Sequence, residues 1–196
     1  MKNALIIFQK NPEQGKVKTR LAATVGDENA LRIYSILVDK THQLVEAIVA
    51  KKYLFFSDFI EKEVKWAPYD KKVQKGSDLG LRMFNAIAEV KAEGAERIVV
   101  IGTDCYDLSV DILEEAFVAL ETNDYCIGPA LDGGYYLIGT TQPDEVVFLN
   151  KKWSTETVCE EAKDSILKAG KKVTILPILS DVDYEEDLKT LREFLV

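Results

Sequence analysis

Apolar residues along this chain fall into two recurring patterns: short unbroken runs, and longer stretches where they return every three or four positions. Residues 4–8 (Ala-Leu-Ile-Ile-Phe) and 98–101 (Ile-Val-Val-Ile) are continuous runs without alternation, which predicts strands buried on both faces. Residues 52–57, 125–128 and 173–176 predict further strands. Between them, Ala30, Ile33, Tyr34, Leu37, Val38, Thr41, Leu44, Val45 and Ile48 recur at helical spacing, in a helix opened by Asp27 or Glu28. His42 falls off that stripe and is expected at the surface. Leu79, Met83, Ile87 and Val90 mark a second helix, stopped at Glu93-Gly94, and Val110, Leu113, Phe117 and Leu120 a third. Residues 143–150 predict a short helix. Ser154 or Thr155 is expected to cap the next one, whose inner face is Val158, Ala162, Ile166 and Leu167 and which stops at Gly170. Residues 59–73 are mixed and charged and read as a short helix and an edge strand, and Leu188, Leu191 and Leu195 predict a terminal amphipathic helix. The regular alternation of strand and helix predicts one α/β domain over residues 1–196, built on a mainly parallel sheet.

With 196 residues the chain can bury a sizeable core, and 47% apolar content excludes disordered and fibrous classes. Its net charge of −8 argues against nucleic acid and anionic membrane as partners. Only five apolar residues follow Met1-Lys2-Asn3, too few for an export signal or a membrane span. Cys105, Cys126 and Cys159 lack metal-ligand spacing, and their odd number predicts reduced thiols in the cytoplasm.

Against this acidic background the basic residues stand out. Lys10, Lys16, Lys18 and Arg20 crowd the loop after the first strand, with Pro12 and Gly15 as breakers. Cations and free backbone N–H groups there suit a polyphosphate, although the Walker A spacing is absent; a solvated charged loop is the plainer alternative. The run at 98–101 leads through Gly102 and Thr103 to Asp104 and Asp107. Acids at the C-terminal lip of a central parallel strand lie where open α/β sheets bind ligands, and a carboxylate pair suits a hard divalent cation. Asp107 could instead cap the next helix. Gly76 and Gly80 allow close approach of a ligand or of a neighbouring element. Gly80, inside a helix, costs about 1 kcal/mol against Ala, so a packing or binding reason is expected for it. Asp132-Gly133-Gly134 is a tight turn between two strands, either a plain hairpin or an opening for a ligand. Five acids between Asp181 and Asp187 are either a solvated helix start or the source of a second metal ligand.

Several segments together resemble the nucleotide-diphospho-sugar transferase superfamily. They are Lys10-x-Pro12-x-x-Gly15-x-Val17-Lys18-Thr19-Arg20-Leu21, Gly76-x-Asp78-Leu79-Gly80-x-Arg82-Met83, Ile101-Gly102-Thr103-Asp104-x-x-Asp107-Leu108, the stretch from Gly128 to Gly139 around Asp132-Gly133-Gly134-Tyr135-Tyr136, Trp153-Ser154-Thr155, and Asp181-Val182-Asp183-x-x-x-Asp187-Leu188. More narrowly, they are similar to a bacterial glycosyltransferase-like family sometimes associated with arsenosugar biosynthesis. That family is related to the molybdenum-cofactor and phospholactate guanylyltransferases. The resemblance implies a three-layer α/β/α sandwich of the GT-A type. It implies that Lys10, Gly15, Lys16, Lys18 and Arg20 hold a donor diphosphate, with Gly76, Asp78, Gly80, Arg82 and Thr103 near the nucleoside. It further implies Asp104 and Asp183 as ligands of Mg²⁺ or Mn²⁺, and Gly133, Gly134, Tyr135 and Trp153 on the acceptor side. Asp104, Lys18 and Asp132 would be the catalytic groups, Asp132 as base. Tyr106 departs from the pattern, which has Pro there.

The expected activity is therefore a metal-dependent transferase, moving a glycosyl group from a nucleotide-sugar to a small acceptor. Nucleotidyl transfer from a nucleoside triphosphate with release of pyrophosphate uses the same loop and cation, and fold does not decide between the two. A nucleotide-sensing module without catalysis is the reading from another class. Base, sugar, acceptor and oligomeric state are not legible in the sequence.

Overall fold

The computed structural model describes residues 2–61, 69–153 and 155–196. A seven-stranded sheet runs through it in the order β3-β2-β1-β4-β6-β5-β7. The strands are β1 (Asn3–Gln9), β2 (Lys51–Phe56), β3 (Asp70–Val73), β4 (Arg97–Ile101), β5 (Tyr125–Pro129), β6 (Tyr135–Thr140) and β7 (Val173–Ile175). β6 alone runs against its neighbours, so the sheet is mainly parallel, as expected.

Successive residues of the central strands feed two separate cores, which is why their sequences do not alternate. Ala4, Ile6, Ile98 and Val100 face one layer, made by α3 (Leu79–Ala92), α5 (Glu145–Phe148) and α6 (Val158–Lys168). Leu5, Ile7, Val99 and Ile101 face the other, made by α2 (Asp27–Glu46) and α4 (Val110–Ala119). The result is a three-layer α/β/α arrangement.

A third core is smaller but places the site. Leu21 of α1 (Thr19–Val25) meets Ile33 and Leu37 of α2, together with Val182, Leu188 and Leu191. The last two belong to a 3₁₀ segment, Glu185–Phe194, kinked at Lys189 (φ 43°). This cluster pins the C-terminal tail beside the loop that follows β1.

Several local expectations are corrected. The terminal helix is this kinked 3₁₀ segment. His42 is wholly buried on α2, next to Thr41 and Val45; its Nε2 lies 2.9 Å from Gln9 Oε1, and its ring stacks on Tyr69. α1 was not expected, because it is short and opens on Lys18 in the left-handed region (φ 46°) without a capping side chain. α6 is preceded by Thr157 rather than Thr155, with no side-chain cap; Ser154 lies outside the described residues. Asp107 does not cap α4. Ser109 does, accepting from the N–H of Ile112 at 3.3 Å, while Asp107 pairs with Lys189. Of the region 59–73, β3 is the expected edge strand, and residues 62–68 lie outside the described set. Among the described residues no helix is long and apolar enough to cross a membrane.

Candidate functional site

Strand order reverses between β1 and β4: β2 and β3 lie on one side of β1, and β4 on the other. The crevice beyond the carboxyl ends of such strands is where open α/β sheets bind ligands. The loops leaving β1 and β4 meet there, carrying Lys18 and Asp104.

Lys18 Nζ lies 2.6 Å from Asp104 Oδ1 and 3.1 Å from Asp183 Oδ1. Arg20 reaches the other oxygen of Asp183 at 3.2 Å and packs over the Tyr184 ring. Residues far apart in the chain are stitched together by the backbone as well, since the N–H of Val182 donates to Asp104 O at 3.0 Å. Asp187 Oδ2 accepts from the N–H groups of Asp183 and Tyr184, fixing the turn that presents Asp183.

The Lys18 side chain is only 4% exposed, whereas those of Asp104 and Asp183 are 43% and 32% exposed. Burial works to lower the Lys18 pKa, but the two carboxylates outweigh it and the net shift is upward. A third acid joins them. Burial, aided by the charge of Asp104, pushes the Asp181 carboxyl up to about 7 against the pull of Lys18, and Asp132 and Asp183 add to the rise. Asp181 was legible only as one of five clustered acids. Its special position comes from the tertiary fold.

The other sequence candidates divide. Lys16 pairs with Glu13 on the surface, and Lys10 is exposed, its carbonyl accepting from the Tyr34 hydroxyl; neither joins Lys18 and Arg20. Gly15 lies in the same exposed turn with φ 75°. Thr103 is buried, its hydroxyl turned to Tyr34 at 3.4 Å. Asp78 caps α3, its Oδ1 accepting from the N–H of Leu81 at 3.0 Å, which holds its carboxyl below the ordinary value. Arg82 Nε donates to Gly76 O at 3.1 Å. Gly80 has a packing reason: a Cβ there would stand 2.0 Å from Phe148 O and 2.5 Å from the Trp153 ring.

In the turn between β5 and β6, at the same end of the sheet as the carboxyl end of β4, Asp132 is exposed and accepts from the N–H of Gly134 at 2.9 Å. Gly133 presses against Glu156, and its carbonyl accepts from the N–H of Cys159, so the turn also seats the start of α6. Tyr135 packs edge-on against Trp153, with ring centroids 6.2 Å apart, and its hydroxyl faces Met83 Sδ. Trp153 Nε1 is buried, and the Trp153 side chain adds to the lowering of the Asp78 carboxyl.

Asp104 and Asp183 converge on one point, as their shared ammonium demonstrates. Carboxylate oxygens of this kind are the donors that hard cations take. Yet among the described residues no group of three or more His, Cys, Asp or Glu side chains is placed to hold a metal. A cation there would draw its remaining ligands from bound phosphate and water.

Residues 40–155 match the model of a protein family described as uncharacterized and conserved in bacteria, DUF2064. The chain belongs to this family. A solved structure from Desulfovibrio desulfuricans G20, provisionally assigned as a nucleotide-diphospho-sugar transferase, superposes with a TM-score of 0.90 at 32% identity. The match covers 97% of this chain and 87% of that one. The inositol-1-phosphate CTP transferase of T. maritima shares the fold at a TM-score of 0.66 and 12% identity, with 100% and 95% covered. Rv0371c of Mycobacterium tuberculosis H37Rv, in complex with manganese, does so at 0.59 and 12%, with 100% and 98% covered. No protein of curated function matches the chain. The family member's fold is thus the three-layer sandwich of the nucleotide-diphospho-sugar transferases.

Proposed function

We propose that this chain is a transferase that uses a nucleotide-activated donor, and that it moves a glycosyl group from a nucleotide-sugar to a small acceptor. The observation that carries this reading is the meeting of Lys18, Arg20, Asp104 and Asp183 at the β1/β4 switch point. The Desulfovibrio relative supports the donor class, and the CTP transferase of the same fold supports nucleotide use more broadly.

Asp104 and Asp183 would hold Mg²⁺ or Mn²⁺, which would supply counter-charge to the donor's diphosphate. Lys18 and Arg20 share that task, stabilising negative charge on the leaving phosphate as the bond to the anomeric carbon breaks. The acceptor hydroxyl forms the new bond and gives up its proton. Asp132, exposed and held in the turn by the N–H of Gly134, is the proposed base. Free, buried cysteines support a reducing compartment such as the cytoplasm as the place of action.

Thermal shift with UDP, GDP and CTP, each with and without Mn²⁺, tests the reading. One nucleotide plus metal is expected to raise Tm, and Asp104→Asn to abolish the rise. A rise untouched by Asp104→Asn would leave a nucleotide-sensing module. Incubation with nucleotide-sugars and nucleoside triphosphates then separates the two chemistries: released nucleoside diphosphate supports glycosyl transfer, and released pyrophosphate replaces it with nucleotidyl transfer.

A further inference from the structure

Lys18 does more at this site than sit near a phosphate. Its ammonium bridges the two carboxylates assigned to a cation, at 2.6 and 3.1 Å, and is almost wholly buried there. Arg20 takes the outer oxygen of Asp183. An ammonium and a divalent cation repel strongly at such spacing, and more so where water is scarce, so the two cannot share these oxygens. The chain also offers a cation too few ligands of its own: no cluster of three or more suitable side chains exists among the described residues. The remaining ligands would come from water and from a bound phosphate, and a phosphate is also a strong partner for a lysine ammonium.

We propose that Lys18 is a resident counter-ion that keeps the Asp104–Asp183 pair closed to divalent metal until a diphosphate draws its ammonium away. Metal and diphosphate then enter together rather than one after the other. This rests on the reading of Asp104 and Asp183 as metal ligands. It assigns Lys18 two partners in turn, the carboxylates in the free protein and the diphosphate in the bound one. The anion restores to the lysine the negative charge it leaves behind, so its burial is never uncompensated.

Calorimetric titration of the full chain with Mn²⁺ alone, and with preformed Mn²⁺–pyrophosphate, tests this. The native protein is expected to bind the complex at least tenfold tighter than the bare ion. Lys18→Met is expected to bind the bare ion at least tenfold tighter than native does, while Lys18→Arg, which keeps the charge, stays close to native. If native protein binds Mn²⁺–pyrophosphate tightly but Lys18→Met binds bare Mn²⁺ no better than native, the counter-ion role is overturned and the metal assignment stands. If neither protein binds manganese in either form, the metal assignment falls and this proposal with it. Should Lys18→Met not fold, the native protein still decides. With ¹³C-labelled lysine and Mg²⁺, the Lys18 Cε resonance is expected to stay put with the ion alone and to move when pyrophosphate is added. Movement on Mg²⁺ alone overturns the proposal.

Discussion

Gly80 offers a sharp test of whether a helix glycine serves packing or ligand approach. It is the second residue of α3, where Ala would ordinarily favour the helix by about 1 kcal/mol. The surroundings oppose it. A Cβ would lie 2.0 Å from Phe148 O and 2.5 and 2.9 Å from two atoms of the Trp153 ring. The oxygen belongs to the backbone of α5 and cannot rotate aside, so the helices must part. Overpacking of this kind costs roughly 1–3 kcal/mol, and a backbone obstacle puts this site at the upper end. After the helix gain is subtracted, Gly80→Ala should lose about 2 kcal/mol, which lowers Tm by about 4–8 °C in a chain of this size. Differential scanning calorimetry reads the change directly. The rise in Tm expected from nucleotide plus Mn²⁺ should be the same in the variant, because the added methyl meets Phe148 and Trp153. An unchanged or higher Tm, or a normal Tm with the nucleotide response lost, would refute the packing argument.

Two further outcomes follow from burial elsewhere. Burial lowers His42 from 6.5 to about 4, so the unfolded chain binds the extra proton first as pH falls. The stability this group secures is full above pH 6.5 and is lost as pH drops toward 4, by about 3 kcal/mol at most. Asp181, raised to about 7, works in the opposite direction over much of that range. Urea unfolding of native protein and His42→Gln at several pH values therefore isolates the histidine as a difference; a constant difference from pH 7 to 4 would contradict it. Leu188 is fully buried in the cluster that anchors the 3₁₀ segment, so Leu188→Ala should cost about 3 kcal/mol in urea unfolding and weaken the nucleotide–metal response through Asp183. A destabilised variant with the native response would break the link between that anchor and the site.

Much of the sheet could be read along the chain, because β1 and β4 carry residues for two cores at once and so show no polar face. Lys18, Arg20 and Asp104 could be picked out as charges following buried strands, but the same signal also picked Lys10, Lys16 and Asp107, which stay apart from them. What the sequence concealed depends on contacts between distant segments. The burial of His42 needs Gln9 and Tyr69, which no helical period encodes. α1 is too short for a period to show and lacks a conventional cap. Gly80 and Gly133 face backbone atoms 68 and 23 residues away, Phe148 O and Glu156 O, so their lack of a side chain could be read equally as an opening for a ligand. Asp181 differs from the acids around it because the tertiary fold buries it within reach of the Asp104 charge.

The charge balance of the cleft bears on why an acidic protein would take a polyphosphate at all. Asp104, Asp181 and Asp183 surround Lys18 and Arg20, with Asp132 near enough to act on Asp181. Even with Asp181 partly protonated, these acids match or exceed the two cations before anything binds. A diphosphate entering by itself would meet no surplus positive charge, in a chain whose net charge is already −8. A divalent cation entering by itself would meet Lys18 in its seat. Entry as a pair removes both objections: the dication offsets the diphosphate, and Lys18 changes partner without losing one. On this argument affinity for nucleotide alone should be weak at any basic-loop sequence, and adding positive charge to the loop, as in Gln14→Lys, should not substitute for Mn²⁺ in the thermal-shift response. A variant that bound nucleotide tightly without metal would show that the loop, and not the acids, governs the site.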